Sequence, residues 1–114
     1  GNGHLSIPIS EEFEIYKQLK IPQRFLLHQN FPNPFNPKTM ISFETPSESY
    51  TSLDIYDVIG NRIINLQKGI IDAGYHSIYW DGNNIKGKEV PSGIYFYKLS
   101  FDKRMITRKM ILLN

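Results

Sequence analysis

There is no cysteine among the 114 residues, which excludes a disulfide framework, a thiolate metal site and a cysteine nucleophile together. Either a reducing or an oxidising compartment is compatible with that lack. No apolar run approaches the ~18 residues of a membrane-spanning helix, and no secretory leader pattern is visible. The chain starts Gly1-Asn2-Gly3 rather than with Met, so it is expected to be a piece of a longer protein. A net charge of +2 is too small to suggest a nucleic-acid partner. Helical periodicity is missing as well. Ser10 to Lys17 fits a short capped helix or an alternating strand equally, and residues 1–29 read as a linker or the tail of a preceding domain.

Catalytic patterns are also lacking. The three histidines, His4, His28 and His76, are scattered, and none has a carboxylate or second histidine at a metal-ligating spacing. No Gly-x-Ser-x-Gly elbow occurs. Asp81-Gly82-Asn83-Asn84 offers cation-friendly oxygens, but the twelfth position of such a loop is Ser92 rather than an acid. A turn is the better reading there, with weak cation binding left open. Neither enzymatic activity nor a metal or cofactor is expected.

Aromatic residues are what the chain has in excess: seven Tyr, seven Phe and one Trp, a bias that favours strands. From Thr39 onward the apolar residues recur with period two. Ile41 and Phe43 alternate with polar neighbours, as do Leu53 and Ile55, then His76, Ile78 and Trp80. Tyr95, Tyr97, Leu99 and Phe101 line one face of the strongest run, and Ile94 and Phe96 make its other face partly apolar, the mark of a central strand. Ile63, Ile64 and Leu66 break the alternation and predict a bulge. Asp57-Val58-Ile59-Gly60 predicts a tight hairpin with Gly60 at a positive-φ position. Gly69 and Gly74 are expected to bracket a short excursion, and a minor strand is expected near Glu89 and Val90. Asp102-Lys103 predicts a two-residue turn. The count is six or seven short strands, which predicts an all-β, immunoglobulin-like antiparallel β-sandwich.

Two stretches depart from ordinary sandwich sequence. Asn30-Phe31-Pro32-Asn33-Pro34-Phe35-Asn36-Pro37 holds three prolines in six residues, which forbids helix and central strand alike. Its two phenylalanines predict an ordered clamp with both rings buried and a stiff, polyproline-like lead-in; a proline-rich spacer is the plainer alternative. At the other end, Lys109-Met110-Ile111-Leu112-Leu113 is apolar on both faces beside Arg108 and Lys109. That pattern fits either a recognition strand open to strand addition or a covered inner strand. Tyr56, Tyr75 and Tyr79 fit a sugar-binding platform or, more simply, cross-strand aromatic pairs.

These motifs carry a resemblance. The series Phe25-x-Leu27-x-Gln29-Asn30-Phe31-Pro32-Asn33-Pro34-Phe35-Asn36-Pro37-x-Thr39 resembles the opening of type A C-terminal sorting domains of the type IX secretion system. The similarity continues through Leu53-x-Ile55-Tyr56-Asp57-x-x-Gly60, Ala73-Gly74-x-His76-x-x-x-Trp80-Asp81-Gly82, Ser92-Gly93-Ile94-Tyr95-Phe96-Tyr97 and Lys109-Met110-x-Leu112-Leu113, over residues 21–114. A related sandwich occurs in flagellar hook-capping proteins. The resemblance implies a sorting domain over residues 30–114 behind an N-terminal cargo domain of the same chain, found in Bacteroidetes. It further implies transit through the periplasm to the cell surface or medium, a type IX translocon as partner, and removal by a sortase-like peptidase. The positions it ties to sorting are Gly93, Tyr95, Lys109, Met110, Ile111, Leu112 and Leu113, with Asp57 and Gly60 as the hairpin motif. Asn114 stands where the family commonly has a basic residue, and Phe31 where it has Tyr. The alternative reading is a structural or carbohydrate-binding module of a secreted multidomain protein.

Overall fold

Strict alternation on a pleated backbone sends every second side chain to the same side, and most of the strands obey it. The computed structural model describes residues 22–114; the Ser10–Lys17 segment and His4 lie outside the described residues. In chain order the strands are β1 (Leu26–Leu27), β2 (Thr39–Thr45), β3 (Ser49–Tyr56), β4 (Arg62–Ile71), β5 (Gly74–Trp80), β6 (Gly93–Phe101) and β7 (Arg104–Leu112). They form a three-stranded sheet in the order β1-β2-β5 and a four-stranded sheet in the order β4-β3-β6-β7, antiparallel throughout. Each sheet is apolar on one side, so the two bury those sides against each other. The result is an all-β sandwich of immunoglobulin-like type.

The core is built from the residues the alternation selects. Ile41 and Phe43 come from β2, Leu53 and Ile55 from β3, Trp80 from β5, and Tyr95, Tyr97, Leu99 and Phe101 from β6. Met110 and Leu112 from β7 are fully buried among them. Burying each such side chain is worth roughly 1.5–3 kcal/mol. β6 has neighbours on both sides, β3 and β7, as its two-sided apolar pattern required. Upstream of the clamp, Phe25 and Leu27 join the same core, Phe25 stacking 5.0 Å from Phe101.

Irregularities fall mainly on β4. Register shifts at Leu53/Asp54 and Ile55/Tyr56 leave Leu66 and Ile63 as extra residues opposite β3. Those two bulges are why Ile63, Ile64 and Leu66 do not alternate. The expected excursion after Gly69 does not occur: β4 continues through Gly69, opposite Thr51, to Ile71. Near Glu89 there is a single bridge to Asn83 rather than a strand. Asp102, at φ 55°, and Lys103 close the β6–β7 hairpin.

Candidate functional site

The proline-rich clamp, residues 30–38, is ordered at one end of the sandwich, and its hydrogen bonds explain why. Prolines remove donors and interrupt regular pairing, so part of the remaining backbone is met by side chains. The buried Asn30 side chain donates to the Pro32 carbonyl (3.1 Å) and the Thr39 hydroxyl (3.0 Å), and Thr39 donates to the same carbonyl (2.8 Å). The Asn30 N–H donates to the Tyr97 hydroxyl (2.8 Å), which donates in turn to the His28 carbonyl (2.7 Å). Tyr97 therefore joins the sandwich core to the start of the clamp.

The two rings of the clamp part company. Phe35 is 1% exposed and sits 5.6 Å from the Trp80 ring. Phe31 is 76% exposed, against the expectation that both are buried. The physical reason is its backbone: Phe31 exchanges both hydrogen bonds with Met40 (3.0 and 2.9 Å). That pairing directs its side chain to the outer face of the three-stranded sheet with Met40. The segment bends between its two bridges, at Phe31 and Phe35, so it is not a polyproline-like lead-in. All three X–Pro peptide bonds are cis.

The clamp also covers the outer edge of β7. The Phe35 N–H donates to the Ile111 carbonyl (3.0 Å) and the Leu113 N–H to the Phe35 carbonyl (2.9 Å). The Asn33 carboxamide accepts from the Ile111 N–H (3.0 Å), and the Gln29 side chain donates to the Lys109 carbonyl (2.8 Å). Over Lys109 to Leu113 the edge is therefore capped, and the terminal strand is not open there to strand addition. The next turn closes the same end. Gly82, at φ 79°, approaches so closely that an added Cβ would lie 3.1 Å from the Pro37 carbonyl. Asn114 donates to the Ser92 hydroxyl (2.8 Å) and the Val90 carbonyl (2.7 Å).

The residues that the resemblance ties to sorting divide between two sides of the sheet. Tyr95, Met110 and Leu112 point into the core. Tyr95 packs edge-on against Trp80 at 5.5 Å and donates to the Pro91 carbonyl (2.6 Å). Gly93 pairs with Leu112 at the start of β6. Lys109 and Leu113 are exposed and Ile111 is half-buried, all on the outer face. The Asp57–Gly60 hairpin closes as expected: one Asp57 carboxylate oxygen accepts from Ile59 (3.1 Å) and Asn61 (2.9 Å), and Gly60 has φ 91°. The part of this end that sequence reading missed is the polar capping by Gln29, Asn33 and Asn114, which depends on partners 22 to 80 residues away.

Titration at this end is governed by burial. The Tyr97 hydroxyl is pushed up from its ordinary 10.0 by burial, partly offset by the Asn30 N–H and by Arg108. Tyr95 is also raised, by burial first and then by the Asp57 charge. His76 lies 3.1 Å from both the Thr45 hydroxyl and the Asp72 carbonyl and stacks on Phe43, while His28 pairs with the Glu44 carboxylate. Asp81 accepts from the Asn83 N–H (3.0 Å), making the turn. Among the described residues no three metal-ligating side chains gather. Tyr75 and Tyr79 are exposed on the three-stranded sheet, but Tyr56 belongs to β3 of the other sheet, so the three rings form no single platform.

The model of the secretion system C-terminal sorting domain matches residues 29–113. The chain belongs to that family. Among solved structures, this sorting domain is similar to part of dimeric latent PorU from Porphyromonas gingivalis, with TM-score 0.62 and 18% identity over 79% of this chain and 9% of that one. It is similar to PorZ of the same organism, described as a surface component of the type IX secretion system, with TM-score 0.54 and 17% identity over 79% and 11%. The hook-capping protein FlgD from Xanthomonas campestris matches with TM-score 0.54 and 18% identity over 86% and 73%. At these identities the likeness is one of fold. The chain spans about a tenth of the two Porphyromonas proteins. No curated protein sequence matches it significantly.

Proposed function

We propose that this domain is the type IX export signal of a larger protein, carrying an N-terminal cargo through the periplasm to the cell surface or medium. The translocon reads it, a sortase-like peptidase removes it, and the domain itself catalyses nothing. The observation that carries this reading is the family match over residues 29–113. The arrangement of β7 supports it. With the backbone edge of Lys109–Leu113 occupied by the clamp, what remains available to a receptor is the outer-face row Lys109, Ile111 and Leu113. Tyr95, Met110 and Leu112 then act by holding that row in place from within the core, and Gly93 by pairing with Leu112 at the start of β6.

The test is export of a reporter fused ahead of residues 1–114 in a host with a compatible type IX system. The reporter is expected at the surface or in the medium, and deleting Ile111–Asn114 is expected to trap it in the periplasm. Because Leu112 is fully buried, that deletion also opens the core. Lys109→Ala and Leu113→Asp, both on exposed side chains, separate the two effects: export falls while the melting temperature stays within the range of ordinary surface changes. If both variants are exported as well as wild type, the outer row is not what the translocon reads.

A further inference from the structure

The two sheets end in four edge strands, β1 and β5 in one, β4 and β7 in the other. Three of them are blunted in ways that discourage edge-to-edge pairing. β1 is two residues long, β4 is bulged and carries Arg62 and Lys68, and the clamp caps β7 over Lys109–Leu113. β5 has none of these devices: Gly74–Trp80 is seven residues in unbroken register, with no proline, acid, lysine or arginine. Its outer-face residues Tyr75, Ser77 and Tyr79 are all exposed. Ile78 packs against the core from the other face but is only half-buried.

Which backbone groups β5 leaves free follows from the pairing of β2. Met40 exchanges both hydrogen bonds with Phe31, and the Ser42 carbonyl accepts from the His28 N–H. Alternate residues of a strand bond to opposite sides, so Met40, Ser42 and Glu44 turn their backbone groups away from β5. Their register partners Tyr79, Ser77 and Tyr75 therefore aim N–H and C=O out of the sheet, and no other described residue takes those groups. The row is its own complement. Two β5 strands set antiparallel about a two-fold axis at Ser77 place Ser77 opposite its copy and Tyr75 opposite Tyr79 of the second copy. Every facing pair then exchanges both hydrogen bonds, and every free group of the row is satisfied. On the inner face the same register covers Ile78 with His76 of the second copy.

We propose that the domain self-associates through β5, two copies joining their three-stranded sheets into one six-stranded sheet about the Ser77 axis. Such an interface is isologous, each copy giving and receiving the same contacts. The side chains agree with it. Tyr75 and Tyr79 of the second copy form a cross-strand aromatic pair on the outer face, twice over. Lys38 lies 4.3 Å from the Tyr79 ring, and Glu44, which pairs with His28, stands opposite Tyr75. Each tyrosine pair is thus bracketed by Lys38 of one copy and Glu44 of the other, opposite in sign. A seven-residue edge is small beside the ~1,200–2,000 Å² buried in stable complexes, so the dimer is weak and concentration-dependent. It does not rest on the sorting reading: β7 lies at the far edge, where Arg108 reaches the Leu27 carbonyl, and the Lys109, Ile111 and Leu113 row stays free.

Two measurements on the full 114-residue chain test it. The first combines sedimentation with amide hydrogen exchange from micromolar to millimolar protein. A monomer–dimer equilibrium is expected, with exchange at Tyr75, Ser77 and Tyr79 slowing as dimer forms, while His76 and Ile78, bonded to β2, are protected at every concentration. The second uses the axis. Ser77→Lys and Ser77→Glu each set like charges directly opposite and should weaken the dimer by roughly fivefold, whereas mixing the two variants should restore a mixed dimer. Ser77 is exposed, so neither should move the melting temperature beyond the range of surface changes. Ser77→Pro deletes an outward N–H at the edge and should abolish association; should it fail to fold, the charge pair decides. A monomer at all concentrations overturns the proposal. If its three outward amides exchange fast, the edge is open to an unlike strand; if they are protected, another part of the same chain holds it. A dimer that ignores all three substitutions, or that mixing does not restore, overturns it as well by placing the contact elsewhere.

Discussion

Phe31 and Phe35 occupy equivalent-looking places in the sequence, each in an Asn/Pro frame, yet one ring is buried and the other stands in solvent. Their mutants should differ accordingly. Phe35→Ala removes a ring packed on Trp80 and should lower stability by about 3–5 kcal/mol, whereas Phe31→Ala should leave the melting temperature nearly unchanged. Equal losses in calorimetry would contradict the placement of the two rings. Tyr97 supplies a second prediction. Burial raises its folded pKa above the unfolded 10.0, so the neutral hydroxyl is favoured by folding. Its contribution is full below pH 10.0 and is lost as pH rises through the higher folded value. The clamp should loosen in that alkaline window, in step with tyrosinate absorbance near 295 nm by about one side chain. Tyr97→Phe should remove that step and cost about 1–3 kcal/mol at neutral pH, since Asn30 and His28 lose their partner.

At the scale of the element, the β3–β4 hairpin is the clearest case. Nothing lies within 4 Å of a Cβ added at Gly60, so the cost of substitution there is conformational alone. Gly60→Val should destabilise by about 1–3 kcal/mol, with faster hydrogen exchange at Ile55 and Ile63 on the two flanking strands. Unchanged exchange would mean the turn does not depend on the positive φ. This hairpin was legible in the sequence because its requirement is local. The inward residues of β2, β3, β5 and β6 were legible for a related reason: the pleat enforces period two wherever one face is buried. β4 was not, since two bulges reset the alternation and its register depends on β3. The fate of the β7 edge was not legible either. Its partners come from Gln29, Asn33 and Phe35, and no local pattern in Lys109–Leu113 announces them.

On the scale of the whole molecule, the bond from Asn33 to Ile111 spans 78 residues and that from Gln29 to Lys109 spans 80. The sandwich is thus shut by a contact between its first-made and last-made parts. During synthesis the clamp emerges early and can pair with Met40 and Thr39 at once, but its hold on β7 waits until Ile111 has left the ribosome. The remaining strands can pair beforehand, but this end stays unlatched. A chain cut short anywhere before β7 never acquires the latch. On the proposed reading, in which the domain travels with a cargo made ahead of it, closure would double as a record that translation ran through the whole domain, kept in the fold itself rather than in any added mark.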